Sequence, residues 1–565
     1  MQAKWSKDHI IAPPGFNRWR IPPASIAIHL CIGSVYAWSA YNPALTRIHG
    51  VVAPAAGDWT LGQVVAVYSV AIAVLGLSAA VAGKWMEQVG PRTVGIFAAC
   101  CWGTGYLTGA AGIATHQLWL LIVGYGVIGG CGLGLGYVSP VSTLVKWFPD
   151  RRGLATGMAI MGFGGGAAIG VPLKEFLLRT FYRAPEFLGA VDAVELSTSP
   201  TGVRLAKVGQ VLREAVVVGP GEIRGMIVPG EPGVYLAGTG DVGAVGTFVT
   251  LGIGYFLVML AAAMLYRLPA ADWRPAGWTP PDPEAARRRM ISQHNVTISS
   301  AVRTPQFYLL WIVLCFNVTA GIGILGTAKT MMGEIFGSRL PEIVTAAFAS
   351  TYAQMTSIAN MLGRIGWASA SDWIGRRRTY SFFFLSGAAL YLTIPWAASG
   401  VGTGGAGWLW LFYAATMLIF TMYGGGFATI PAYLADLFGA KYVGGIHGRL
   451  LTAWSTAGVI GPMALTTLRE SSRRGAISDL ASRVDPGEFE IRFGAPLSKL
   501  SQLVDQNTVS IPKLLEIAPP GTIDPSTTLY NTTMYLMAGL LIIALFANAM
   551  IRPVDARFQE QSPVP

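Results

Sequence analysis

Charge is what this sequence has least of. Only 12% of its 565 residues are Asp, Glu, Lys or Arg, where a soluble domain carries roughly 25%. By contrast, 52% of the residues are hydrophobic, so the chain reads as an integral membrane protein. Histidine is scarce too, with six in all and none beside a partner at metal-ligand spacing. No nucleophile–base pair or catalytic carboxylate pair compensates, which argues against a membrane enzyme. A phosphate loop of the G-x-x-x-x-G-K-[ST] kind is missing, so transport driven by bound ATP is unsupported. The five cysteines (Cys31, Cys100, Cys101, Cys131 and Cys315) all fall inside apolar runs. They are expected to be small core residues without metal or disulfide. The opening M-Q-A-K-W-S-K-D-H-I has no apolar h-region and no small-residue cleavage site, so a cleaved signal peptide is not expected. A net charge of +11 invites a nucleic-acid reading, but no basic patch interleaved with aromatics accompanies it. The positives lie mostly between apolar runs, as orientation signals do. Neither a cofactor nor a metal is expected, and no nucleic-acid partner.

What is there is a series of long apolar runs. A helix needs about 20 mainly apolar residues to cross the hydrocarbon core. Candidates lie near 24–45, 61–82, 93–114, 117–142, 153–176 and 245–267, then near 306–330, 343–370, 379–399, 408–433, 444–467 and 529–551. They fall six and six around the polar, Pro- and Arg-rich stretch 268–305, which reads as a linker. The expected organisation is an N-terminal segment 1–23, a six-helix bundle 24–267, the linker 268–305, a second bundle 306–551 and a tail 552–565. Insertions at 177–244 and 468–528 interrupt corresponding places in the two halves, between spans 5 and 6 and between spans 11 and 12. The fold class is therefore an all-α membrane protein of 12 transmembrane helices in two bundles, with two extracytoplasmic insertions able to cap the outer mouth. Lys4, Lys7, Arg18, Arg20, Arg92, Lys146, Arg151, Arg152, Arg287 to Arg289 and Arg376 to Arg378 fall on one side. The short loops on the other side hold little beyond Arg47 and Arg339. The positive-inside rule then puts both termini in the cytoplasm of a multi-pass protein, expected in a bacterial inner membrane and as a monomer.

A duplication runs through the two halves. G-K-W-M-E-Q-V-G-P-R (Gly83 to Arg92) follows span 2, and S-D-W-I-G-R-R-R (Ser371 to Arg378) follows span 8. Aligned on the glycine, Glu87 matches Asp372, Gly90 matches Gly375, and Arg92 matches Arg377, with Arg376 beside it. An acid next to a helix N-terminus and arginines in a tight glycine turn can brace neighbouring helices. A six-plus-six layout with this loop in both halves resembles the major facilitator superfamily. The resemblance implies two six-helix bundles around a central cavity, working by alternating access.

More specific is W-F-P-D-R-R-G-L-A-T-G (Trp147 to Gly157), which is similar to the oxalate:formate antiporter family. So are Y-A-W-S (Tyr36 to Ser39), G-G-G-F-A-T-I-P-A-Y-L-A-D-L-F-G (Gly424 to Gly439) and T-A-W-S-T-A-G-V-I-G-P (Thr452 to Pro462). The likeness covers most of the spans and neither insertion.

One residue stands out within the spans. Arg364 sits inside span 8, where a cation at the bilayer centre costs roughly 2.5–3.5 kcal/mol. Asn360, Ser357, Thr356 and Ala353 share its helix face, while Ile358, Met361, Leu362 and Ile365 lie opposite. The arginine therefore points into a cavity or bundle core. A guanidinium offers a carboxylate two parallel N–H donors. The resemblance implies a substrate-binding arginine at this place, with Asn360 as a second donor. It also places Tyr36, Tyr137, Tyr423 and Phe427 among cavity-lining aromatics, and Trp454 where dicarboxylate exchangers of the family carry a lysine. One cation balances one carboxylate, and a second would be buried unpaired at a cost of several kcal/mol. A small monocarboxylate of the lactate, formate, pyruvate or glycolate type is thus expected, together with a proton or a counter-anion.

His29 is a protonatable group within span 1 and a weak candidate for coupling, hydrogen-bonded helix packing being its plainer role. Lys174 with Glu175, and Lys329 with Glu334, read as snorkelling or surface pairs near outer helix ends. Oxalate:formate-type exchange stays open as an alternative. A nitrate or nitrite porter is expected to need a second arginine in span 2, which has none. A receptor with the insertions as its sensor is the alternative outside transport.

Overall fold

The structure, a computed structural model, describes residues 7–199, 203–219, 226–270, 273–279, 290–292, 294–400, 406–493, 495–505 and 509–560. The orientation signals at Lys4 and Arg287 to Arg289 lie outside the described residues.

The apolar runs become helices because hydrocarbon offers the backbone no other hydrogen-bond partner. Helix α1 (Ile21–Gly33) continues through tight turns at Ser34–Ala40. It is followed by α2 (Leu61–Val89), α3 (Pro91–Ala114), α4 (Leu118–Trp147), α5 (Arg152–Phe181) and α6 (Ala244–Met264). The second half holds α7 (Pro305–Phe336), α8 (Ala346–Ile374), α9 (Arg376–Gly400) and α10 (Gly407–Phe438). It ends with α11, broken at Leu451 into Val443–Leu450 and Thr452–Ala481, and with α12 (Asn531–Met550). Among the described residues, ten helices are long and apolar enough to cross a membrane by composition alone. The other two are α8 and α11. Each carries a polar face that the bundle buries, including Ser357, Asn360 and Arg364 on α8 and Ser455 on α11. Helix α11 also runs on to Ala481, about four turns past the expected end at 467.

The halves repeat each other in detail. Each is tied at the face bearing the termini by one backbone bridge between the segments that enter and leave its bundle. These bridges join Ile11 to Leu268 and Val296 to Gln559. Gly90 and Gly375 both end their helices at φ of +81° and +92°, a conformation that a Cβ would strain. Arg92 donates to the Tyr266 carbonyl just past α6 at 3.0 Å, and Arg377 donates to the Ala549 carbonyl near the end of α12.

The acids of the two motifs reach further than the neighbouring helix. Asp372 accepts the Gly153 and Leu154 amides at 3.1 and 3.3 Å, at the N-terminus of α5 in the other half. The Glu87 carboxylate lies beside Gly445, at the start of α11. Between these points the halves meet along α2–α11 and α5–α8. A Cβ on Gly76 would fall 2.3 Å from the Leu451 carbonyl, and one on Gly153 only 2.1 Å from that of Ala368.

The membrane part is helical throughout, but the first insertion is not. It folds into a five-stranded antiparallel sheet of order β1-β5-β4-β3-β2. The strands are β1 (Phe187–Gly189), β2 (Leu196–Thr198), β3 (Arg204–Val208), β4 (Val211–Val218) and β5 (Gly233–Leu236). Val216, Val218 and Tyr235 bury Val52 of the α1–α2 loop, and the Ala56 amide donates to Glu214 at 2.8 Å. The sheet therefore sits on the first half. The second insertion is helical, its short helices (Pro486–Phe493, Leu500–Asp505, Ile511–Leu515) packing Phe489 and Leu514 in one core with Ile477 and Leu480 of α11.

Candidate functional site

Where the two halves meet at mid-depth, a ring of large side chains closes around Arg364. Trp454 of α11 stands 4.5 Å from Phe427 of α10, 5.1 Å from Tyr137 of α4 and 6.5 Å from Tyr36, centroid to centroid. Tyr423 packs on Phe427 at 5.4 Å, one helical turn away. Its hydroxyl meets that of Tyr36 at 2.9 Å, joining the halves. All seven expected site residues are thus brought together, and each is buried. The site is shut off from both faces of the molecule.

Arg364 is held rigidly and left incompletely bonded. Its Nε donates to Asn360 Oδ1 at 3.0 Å, and Nη1 donates to the Ile160 carbonyl of α5 at 3.1 Å. The guanidinium lies over the rings of Phe427 and Phe163, at 5.1 and 5.5 Å. Nη2 is buried and has no hydrogen-bond partner among the described residues. Neither have Asn360 Nδ2, Trp454 Nε1 and the hydroxyls of Tyr68 and Tyr137. Asn360 therefore first orients the arginine as an acceptor and keeps its amide N–H groups for another partner. A buried charge is ordinarily paired, yet no carboxylate pairs with Arg364 among the described residues.

The approach of α5 makes this geometry possible. A Cβ on Gly164 would lie 2.6 Å from Arg364 Nε and 3.1 Å from Asn360 Oδ1. Ser357 donates to the Gly164 carbonyl at 2.6 Å and accepts the Ala168 amide at 3.0 Å, which fixes the two helices together. The same G-F-G-G-G run (Gly162 to Gly166) carries a residue that sequence reasoning missed. Phe163 contacts Tyr36 at 5.0 Å, Trp454 at 5.1 Å and Tyr137 at 5.5 Å, besides facing Arg364. A single large side chain set among four glycines was the available signal. Tyr68 of α2 and His447 of α11, whose ring lies 6.0 Å from Tyr137, were missed as well.

His29 is buried against Tyr137 at 5.3 Å and Phe163 at 6.3 Å, one layer behind the arginine. Neither of its ring nitrogens has a hydrogen-bond partner among the described residues.

The ionic residues nearer the two faces correct the expected pairings. Lys174 is not at the surface but fully buried, its ammonium donating to the Ser34 carbonyl at 2.8 Å above the Tyr41 ring. The tight turns after α1 expose that carbonyl and draw the lysine inward. Glu175 pairs across the halves with Lys329 at 2.8 Å, and Glu334 pairs with Arg469 and Tyr530. At the opposite face, Asp436 takes Arg376 at 2.9 Å and Arg152 of the other half at 3.3 Å, and Asp372 takes Arg376 at 2.6 Å.

Two pseudo-repeated six-helix bundles, closed around a buried cation in an aromatic box, define a membrane carrier. The chain belongs to the Major Facilitator Superfamily, whose family model matches residues 26–191 and 232–462. The unmatched stretches hold most of the sheet and all of the second insertion. It is a transporter and not an enzyme.

The chain is 22% identical over 447 residues to the oxalate:formate antiporter of Oxalobacter formigenes, covering 79% of this chain and 83% of that one. It is 26% identical over 360 residues to apicoplast pyruvate carrier 1 of Toxoplasma gondii, covering 60% of this chain and 58% of that relative. The fold also matches the solved structure of the proton:xylose symporter XylE, with a TM-score of 0.52, 12% identity, and coverage of 93% and 95%.

Proposed function

We propose that this transporter carries small monocarboxylates of the lactate, formate, pyruvate or glycolate type across a bacterial inner membrane, with both termini cytoplasmic. The observation that carries the reading is Arg364, a fully buried guanidinium with a free Nη2 and no carboxylate partner among the described residues. Orphaned donors gathered around one cation suit the acceptor-only carboxylate group of a singly charged anion. Arg364 Nη2 and Asn360 Nδ2 bind the carboxylate, Trp454 Nε1 and the Tyr137 hydroxyl complete its shell, and Phe163 and Phe427 bound the carbon skeleton. The relatives named for oxalate, formate and pyruvate support this substrate class.

Arg364 and Asn360 belong to one half while Phe163 and Tyr137 belong to the other, so substrate binding draws the halves together. Release needs the Tyr36–Tyr423 contact and one set of facial ion pairs to part. Trp454 disfavours oxalate, because among the described residues no second Lys or Arg stands in the box to meet a second carboxylate. His29, against Tyr137 and Phe163, is the candidate proton acceptor for symport.

The test is uptake of labelled lactate, formate, pyruvate and oxalate into proteoliposomes, with and without trapped counter-anion and an inward proton gradient. Monocarboxylate uptake exceeding oxalate uptake supports the reading. Oxalate flux equal to that of lactate contradicts it.

A further inference from the structure

The sheet-bearing face holds a cavity of about 670 Å³ between the halves. It lies beside Arg47 after α1, Glu175 and Arg179 on α5, Lys329 on α7 and Gln354 on α8. Met226 and Ile227 of the first insertion also line it. Met226 is anchored in the cluster that joins the sheet to Val52, so the insertion has a defined task there, to wall this space. Along α5, Phe163 of the central box and Arg179 are sixteen residues apart, roughly 24 Å at 1.5 Å per residue. Arg179 thus stands far from the box, while Ser39 brings the inner end of the cavity within three residues of Tyr36.

The lining is unbalanced in charge. Among the described residues three cations line it with one acid, and that acid is already engaged, Glu175 accepting from Lys329 at 2.8 Å and from Ser350 at 2.9 Å. Arg179, one turn beyond Glu175 on the same helix face, makes no ion pair or side-chain hydrogen bond to a described residue. Cations lining a cleft with low-dielectric walls concentrate anions there. The Glu175–Lys329 contact also joins α5 to α7 and so bridges the two halves. An anion that takes Lys329 from Glu175 removes a tie that must open for the central box to be reached from this face.

We propose that this cavity is a vestibular carboxylate site, in which the substrate is first held by Arg179 and Lys329 and competes with Glu175 for the lysine. The proposal rests on the monocarboxylate reading above and adds to it a second binding place and an opening step. Its ligand is the carboxylate group itself, and Gln354 lines the cavity without being needed to hold it.

The test places a reporter there. In a chain whose five cysteines are replaced by serine or alanine, Gln354→Cys is labelled with a membrane-impermeant maleimide in proteoliposomes, with lactate, formate or chloride added. Thr351→Cys, on the same wall, serves where Gln354→Cys does not insert. Lactate is expected to change the labelling rate at least threefold, and to do so equally in an Arg364→Lys background where the central box is disabled. Arg179→Gln is expected to abolish that response and to raise KM for uptake at least fivefold, with the maximal rate changed far less. A lactate response that vanishes with Arg364→Lys, or survives Arg179→Gln, overturns the vestibular site while leaving the central reading intact. A response to chloride alone, in a protein that moves no carboxylate, overturns the monocarboxylate reading and with it the carboxylate assignment of this site.

Discussion

Replacing Trp454 by lysine should change which anions the carrier accepts. The indole is fully buried, 4.5 Å from Phe427 and 5.1 Å from both Phe163 and Tyr137, with Nε1 unpartnered among the described residues. An ammonium at this position faces the box that Arg364 occupies from the other side. In wild type a dicarboxylate leaves one carboxylate unpaired, whereas in Trp454→Lys that group gains a charge-assisted hydrogen bond of about 1.5–3 kcal/mol. At 1.4 kcal/mol per decade, this is a gain of roughly 10- to 150-fold in oxalate over lactate. The substitution also loses aromatic contacts of about 0.5–1.5 kcal/mol each. Trp454→Gln, which removes the same ring without adding charge, is therefore the control. The assay is competition of oxalate against labelled lactate in proteoliposomes, read as the ratio of KM values. Both variants should transport lactate more weakly, and only the lysine should gain oxalate. If the oxalate-to-lactate ratio in Trp454→Lys does not exceed that in Trp454→Gln, the one-cation argument for a monocarboxylate is wrong.

Gly164→Ala puts a methyl group 2.6 Å from Arg364 Nε and should cost about 1–3 kcal/mol; lactate kcat/KM is expected to fall at least tenfold while the purified protein still elutes as a folded species. Phe163→Ala should lower stability by about 3–5 kcal/mol and improve the KM for a branched 2-oxo acid relative to lactate, checked by thermal unfolding in detergent and by competition uptake. Asp436→Asn leaves buried Arg376 short of one carboxylate and takes from Arg152 its charged partner across the halves. A lower Tm is expected, together with faster labelling of a cysteine introduced at half-buried Leu154, since the terminal face loses part of its closure.

The layout of spans was legible because each is a long apolar run, and the loop repeat because its glycine, acid and arginine recur in register. Arg364 was legible for the opposite reason, as a charge standing where its neighbours are apolar. Its aromatic partners came from resemblance, since a buried tyrosine in a membrane helix looks the same in sequence whether it lines a site or packs. Phe163 was missed because a lone ring among glycines carries no charge or polar group to single it out, although one of those glycines, Gly164, lets α5 approach Arg364 closely. The ion pairs were misassigned because adjacent charges, such as Lys174 and Glu175, point to different sides of a helix. Glu175 reaches Lys329 in the other half, and Lys174 reaches a carbonyl freed by the tight turns at Ser34–Ala40. The sheet was not foreseen because its strands run three to eight residues, too short for their alternation to stand out from a polar loop.

The central claim is that Arg364 anchors the carboxylate through a planar fork of donors. Its most direct test is saturable uptake of labelled lactate by wild type and by Arg364→Lys at matched reconstitution. Lysine keeps the charge but gathers its donors on one tetrahedral nitrogen, so it cannot hold Asn360 and Ile160 in the planar geometry that aims a separate N–H at the substrate. Loss of at least one charge-assisted bond, about 1.5–3 kcal/mol, predicts a fall in kcat/KM of roughly 10- to 150-fold. Wild-type lactate flux in Arg364→Lys would show that the arginine is only a structural tie between α8 and α5, and would contradict the account.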